Sequence, residues 1–145
     1  MRQKLELMNH SLKVQCSTEN LKNVRAFLEK TLMDYAVPEE ERSLMILAVD
    51  EICANVMIHS NQLDKNKQIA VSVADTPEGY VFEISDSGLP FDHTSIADPN
   101  IEQMVKEKRK GGLGLMLVRR IMDSIELRKD NSHTIYRLFK RVSIC

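Results

Sequence analysis

Two short β-rich runs, residues 68–75 (QIAVSVAD) and 80–86 (YVFEISD), stand four residues apart. Between them, Thr76-Pro77-Glu78-Gly79 places a proline and a glycine where a tight turn needs them. Strands joined this closely pair antiparallel, because a parallel pair needs a crossover of a dozen or more residues. The hairpin therefore rules out regular strand–helix–strand winding through the middle of the chain.

The flanking patterns complete the class. Residues 4–16 alternate loosely and read as an extended segment, broken around Asn9-His10-Ser11. Ser17-Thr18 offers an N-cap for a helix over residues 18–36, where Leu21, Val24, Phe27, Leu28 and Leu32 form one apolar stripe. Pro38 sits at a first helical position, and Glu39-Glu40-Glu41 suit the positive end of a second helix running to about His59. Residues 61–66 read as a polar loop. Residues 92–110 read as a long polar loop with a short helix near 101–105. A helix over 112–124 follows, then strands near 125–129 and 134–142 around the turn Asp130-Asn131-Ser132. Helices on one face of a mostly antiparallel sheet make an α+β sandwich.

The bulk properties narrow the function. At 145 residues and 43% hydrophobic, the chain is expected to form one domain, 1–145, with a real core. Its 20 basic and 21 acidic residues leave a net charge of −1, so no global field points to nucleic acid or anionic lipid. No signal-like or membrane-spanning run is evident. Cys16, Cys53 and Cys145 are odd in number and widely spaced, which suits reduced thiols. A cytoplasmic location is the expectation.

Three stretches carry chemistry. On the second helix Glu51, Asn55 and His59 fall four apart, a polar stripe in an otherwise apolar helix. Such a stripe is either solvated or meets a ligand. In the second case Glu51 is a general base and Asn55 offers an oxygen to Mg²⁺, a hard cation that takes oxygen ligands. His59 reads as a structural residue or a supporting donor. Asp86 closes the second strand of the hairpin, with Gly88 and Pro90 after it. That is an ordinary turn, or a carboxylate that accepts from an exocyclic amine such as adenine's, with Gly88 allowing close approach. Finally, Gly111-Gly112-Leu113-Gly114-Leu115 opens a helix with three glycines in four residues. It is a hinge or a site where exposed N–H groups and the helix dipole meet phosphate. The basic run from Lys106 to Lys110 precedes it, as solvated surface or as a screen for phosphate charge.

In this order and spacing, the three stretches resemble the ATP-binding superfamily of gyrase, the ninety-kilodalton heat-shock chaperone, histidine kinases and MutL. Glu51-x-x-x-Asn55 looks like the superfamily's asparagine box, Asp86-x-Gly88 its first glycine box, and Gly112-Leu113-Gly114-Leu115 its second. Pro90-Phe91-Asp92, the extension Leu117-Val118 and the ending Met122-Asp123 are most similar to the small anti-sigma factor serine/threonine kinases. The resemblance implies a Bergerat-type two-layer sandwich binding ATP and Mg²⁺. It implies Glu51 as the base, Asn55 as the metal ligand and Asp86 as the adenine reader. The phosphates would meet Lys110, Gly111, Gly112, Leu113, Gly114 and Leu115, beneath a lid over residues 93–110. Thr134 would lie near the adenine, although Asn131-Ser132-His133 replaces the family's usual preceding glycine. The implied partners are an anti-sigma factor antagonist, as phosphoacceptor, and a sigma factor, with homodimerisation a possibility. The alternative is a binding module that nucleotide controls without any phosphotransfer. A detached histidine-kinase domain is disfavoured, since no helical hairpin with a phosphoacceptor histidine is evident.

Overall fold

The computed structural model describes residues 10–60, 64–86, 112–130 and 133–141. Strand β1 is His10–Gln15, helix α1 Leu21–Asp34 and helix α2 Glu39–Asn55. Strands β2 (Gln68–Thr76) and β3 (Gly79–Asp86) form the expected hairpin. Helix α3 is Gly112–Ile121, and β4 (Ser124–Asp130) and β5 (His133–Arg141) form a second hairpin. The sheet order is β1-β2-β3-β5-β4, and every pairing is antiparallel.

Side chains alternate across the sheet, so the registers define its faces. Leu12, Val71, Ile84, Tyr136 and Leu127 make one row, and Val73, Phe82 and Leu138 belong to the next. These meet Val24, Leu28 and Leu32 of α1, Met45, Val49 and Ile52 of α2, and Val118 of α3 in a single buried core. The α+β sandwich is thus as expected. On the opposite face, Lys13, Ala70, Ser85, Ile135 and Arg128 form one row. A neighbouring row sets Glu83 beside Arg137, which bonds it at 2.8 Å, with Arg128 at 3.4 Å.

The β2–β3 turn is held by Thr76. Its hydroxyl donates to the Gly79 carbonyl (2.7 Å) and accepts the N–H groups of Gly79 (3.0 Å) and Glu78 (3.2 Å). Gly79 is required for space, because a Cβ there would collide with the Lys140 carbonyl oxygen.

Boundaries moved where local signals were outweighed. No break interrupts β1 at His10-Ser11; strand pairing with Val73 and Ser72 holds both residues. The expected helix over 18–36 is a single 3₁₀ turn, Thr18–Asn20, followed by α1, and the Ser17 side chain makes no capping bond. Helix α1 ends through Ala36 at φ 64°, a left-handed position usually given to glycine. There the Val37 N–H reaches the Leu32 carbonyl at 3.0 Å and the Ala36 N–H reaches Met33 at 2.9 Å. Arg42 locks this corner, donating to Glu29 at 2.9 Å and to the Val37 carbonyl at 2.8 Å. Pro38 is the extended N-cap of α2 rather than its first turn. Helix α3 stops at Ile121, and Asp123 is drawn into the sheet by its N–H bond to the Phe139 carbonyl (2.8 Å). The proposed helix near 101–105, the residues before His10 and the lid over 93–110 lie outside the described residues. Among the described residues no helix is long and apolar enough to cross a membrane.

Candidate nucleotide site

Helix α2 brings the first pair of predicted residues together. Glu51 and Asn55 lie one turn apart on it, and their burial differs sharply. Asn55 is 4% exposed, whereas Glu51 is half-buried. Burial raises the Glu51 carboxyl above its ordinary value, and the neighbouring Asp50 charge adds to the effect. Asp50 is itself held by Arg25 of α1 at 3.0 Å.

Asn55 is the last residue of the α-helical stretch. The chain continues from Val56 to Ser60 as a wider π-helical turn, an irregularity often found at functional sites. Among the described residues the Asn55 Nδ2 donor has no hydrogen-bond partner. A buried amide donor left open costs free energy, which a bound acceptor could return. The backbone of His59 lies within this turn.

Asp86 closes β3, is 2% exposed, and pairs in register with Thr134 of β5. It follows Phe82 and Ile84 on the helix-covered face, so its carboxylate belongs to the same side of the sheet as α2. Only three buried polar residues occur among the described ones: Thr31, Asn55 and Asp86. Two of these three are site residues picked from sequence.

Gly112 opens α3 as expected, with Leu113, Gly114 and Leu115 in its first turns, and α3 packs along α2. Gly88, Lys110 and Gly111 lie outside the described residues. Arg25 was missed from sequence. The one available signal was an acid, Asp50, directly before the candidate base, and nothing local says that its partner comes from another helix.

The residues fit an adenine nucleotide with Mg²⁺. An ionised Asp86 is an acceptor only, suited to an amine edge, and Asn55 offers both an amide oxygen and an open donor. Among the described residues no group of three His, Cys, Asp or Glu side chains could hold a metal. A cation beside Asn55 would therefore draw most of its oxygen ligands from phosphate and water, as Mg²⁺ commonly does.

Comparison with known proteins gives the family and the fold. Residues 14–140 match the family model described as the histidine kinase-like ATPase domain. The serine-protein kinase RsbW of Bacillus licheniformis is 27% identical over 93 residues, 61% of this chain and 58% of the relative. That of Bacillus cereus (strain AH187) is 26% identical over 95 residues, 63% and 59% of the two chains. The match thus spans less than two thirds of these relatives' length. Among solved structures, the SiaB–SiaC complex from Pseudomonas aeruginosa contains a chain of like fold, with a TM-score of 0.65 at 14% identity, covering 97% of this chain and 94% of that one. The RsbU and RsbW domains of Rv1364c from Mycobacterium tuberculosis align with a TM-score of 0.58 at 14% identity, over 90% and 32%.

Proposed function

Since the chain belongs to the histidine kinase-like ATPase domain family, we propose that it binds ATP with Mg²⁺ and phosphorylates a serine or threonine of a partner protein. The observation that carries this reading is the burial of Asn55 and Asp86, the two polar residues that a nucleotide would need. Similarity to serine-protein kinases named RsbW favours protein phosphorylation over other uses of ATP.

Bound ATP and Mg²⁺ would supply an activated γ-phosphoryl group with its charge partly neutralised. Asn55 would ligate the cation through its side-chain oxygen. Asp86 would accept a hydrogen bond from the adenine amine, with Thr134 alongside it in the register. The phosphates would lie against Lys110, Gly111 and the start of α3 from Gly112 to Leu115, with Gly88 leaving room for the base. Glu51 would take the hydroxyl proton of the acceptor serine. Its raised pKa brings it closer to the working pH, where a general base is most effective. Leu44 and Leu47, 47% and 40% exposed, precede Glu51 on the outer side of α2 and offer a protein partner an apolar foothold.

By resemblance, the acceptor would be an anti-sigma factor antagonist in the cytoplasm. A sigma factor would be a second partner, and the kinase would act as a homodimer. The test is incubation with labelled ATP and antagonist-domain proteins encoded by the same genome. Label transferred to a serine or threonine, and lost in Glu51→Gln, is the expected result. Nucleotide-dependent complex formation without transfer would instead establish the binding-module reading.

A further inference from the structure

Among the described residues no helix covers the sheet face opposite α1–α3, and that face holds a concavity of about 450 Å³ at the end where β3 terminates. Lys13 and Gln15 of β1, the turn Lys65-Asn66-Lys67 and Gln68 of β2 line it. The floor is Ala70 and Ser85, which belong to the row across the open face. Asp86 also borders it, but its alternation with Ser85 assigns its side chain to the helix-covered face.

Three lysines converge here in a chain whose net charge is −1. The turn is built to present them. Asp64 accepts the Asn66 N–H at 2.9 Å, the Lys67 N–H bonds the Asp64 carbonyl at 3.0 Å, and the Cys16 N–H ties the Lys67 carbonyl to the end of β1 at 2.9 Å. Among the described residues Lys13, Lys65 and Lys67 enter no ion pair, whereas Arg25, Arg42, Arg128 and Arg137 all do. These three positive charges outnumber the two acids nearby, Asp64 of the turn and the buried Asp86, and favour an anionic guest.

The geometry points to an acidic, extended protein segment as that guest. Lysines alternate with carboxamides, which both donate and accept, and so match a peptide backbone that does the same. A phosphate group offers acceptors only, and among the described lining residues no arginine fork is present to hold one at two points. Among the described residues no aromatic ring lines the groove, so they offer none of the stacking that supports single-stranded nucleic acid. The groove is on the far side of the sheet from Asn55, and its occupation does not depend on the phosphotransfer reading.

The test uses the full chain and a fluorescein-labelled octaglutamate peptide, with amide shift mapping and fluorescence anisotropy. Shifts are expected at Lys13, Lys65–Gln68 and Ser85, with affinity falling as salt rises. Lys13→Glu/Lys65→Glu/Lys67→Glu should weaken binding at least tenfold, while Lys22→Glu/Lys30→Glu/Lys140→Glu should leave it within twofold. Should the triple variant unfold, Lys65→Gln alone should still weaken binding about threefold. Octathymidylate should bind more weakly than the peptide. Equal binding of octathymidylate, shifts scattered over remote lysines, or displacement of the peptide by MgADP would each overturn the assignment. A chain that binds no ADP at all would refute the nucleotide reading and leave the peptide result fully readable.

Discussion

Arg25 of α1 holds the Asp50 carboxylate of α2 at 3.0 Å, one residue before the half-buried Glu51. Burial is the main cause that raises the Glu51 carboxyl, and the Asp50 charge, which the Arg25 guanidinium faces, adds to it. In Arg25→Ala the Asp50 charge is released, and the Glu51 titration should move to higher pH. Carboxyl carbon shifts followed by NMR will read this. The half-exposed pair itself should cost only about 0–1 kcal/mol on removal. An unmoved titration would mean that the Arg25 charge does not reach Glu51.

The same shift sets a sign for stability. A carboxyl whose folded pKa lies above its unfolded one holds its proton longer in the native state. Stability is therefore lost as pH rises from the unfolded to the folded value. Glu51→Gln removes that penalty. It should be more stable than the parent at neutral pH, with the gain vanishing below the ordinary carboxylate range. Urea denaturation at several pH values checks this. In a phosphotransfer assay the same variant should retain ATP and lose about 10²–10⁴-fold in rate.

Asn55→Ala separates ligand binding from folding. Because Nδ2 has no hydrogen-bond partner among the described residues, stability should fall by no more than about 1 kcal/mol. Mg²⁺-dependent nucleotide binding should be abolished. Calorimetry with ADP, with and without Mg²⁺, measures one effect, and thermal unfolding measures the other.

Asp86→Asn changes a pure acceptor into a group that also donates. ATP affinity should fall roughly 10- to 100-fold, the value of a hydrogen bond to a charged group. The parent should prefer ATP to GTP, because guanine carries a carbonyl where adenine carries its amine. Equal calorimetric affinities for the two would remove adenine from the assignment.

Ala36→Gly tests the corner between α1 and α2. A non-glycine residue at φ 64° costs about 1–2 kcal/mol, against roughly 0.5–1 kcal/mol of extra chain entropy for glycine. The variant should be stabilised by up to about 1 kcal/mol in chemical denaturation, with nucleotide binding unchanged.

Much of this was legible beforehand. The β2–β3 hairpin could be read from its own turn, because Thr76, Pro77 and Gly79 act within four residues. Glu51 and Asn55 were legible as a one-turn pair because helical spacing is local. Less legible were the ends of elements. Ser17 looked like a cap and makes no capping bond, and α1 closes through Ala36 where no glycine signals a stop. At the Ala36 corner the Arg42 bond to the Val37 carbonyl adds what no single residue there signals.

The sequence by itself determined the alternation of strands, the order of helices and hairpins, and which polar residues stand apart on otherwise apolar elements. Those are properties of short segments, governed by side-chain period and turn chemistry. Only the tertiary structure decided that Asn55 and Asp86 are both buried, that Asp86 stands opposite Thr134, and that Arg25 answers Asp50 across 25 residues. It also gathered Lys13, Lys65 and Lys67 around one groove. Burial and charge pairing depend on what the rest of the chain packs against, and that is decided by the closure of the core.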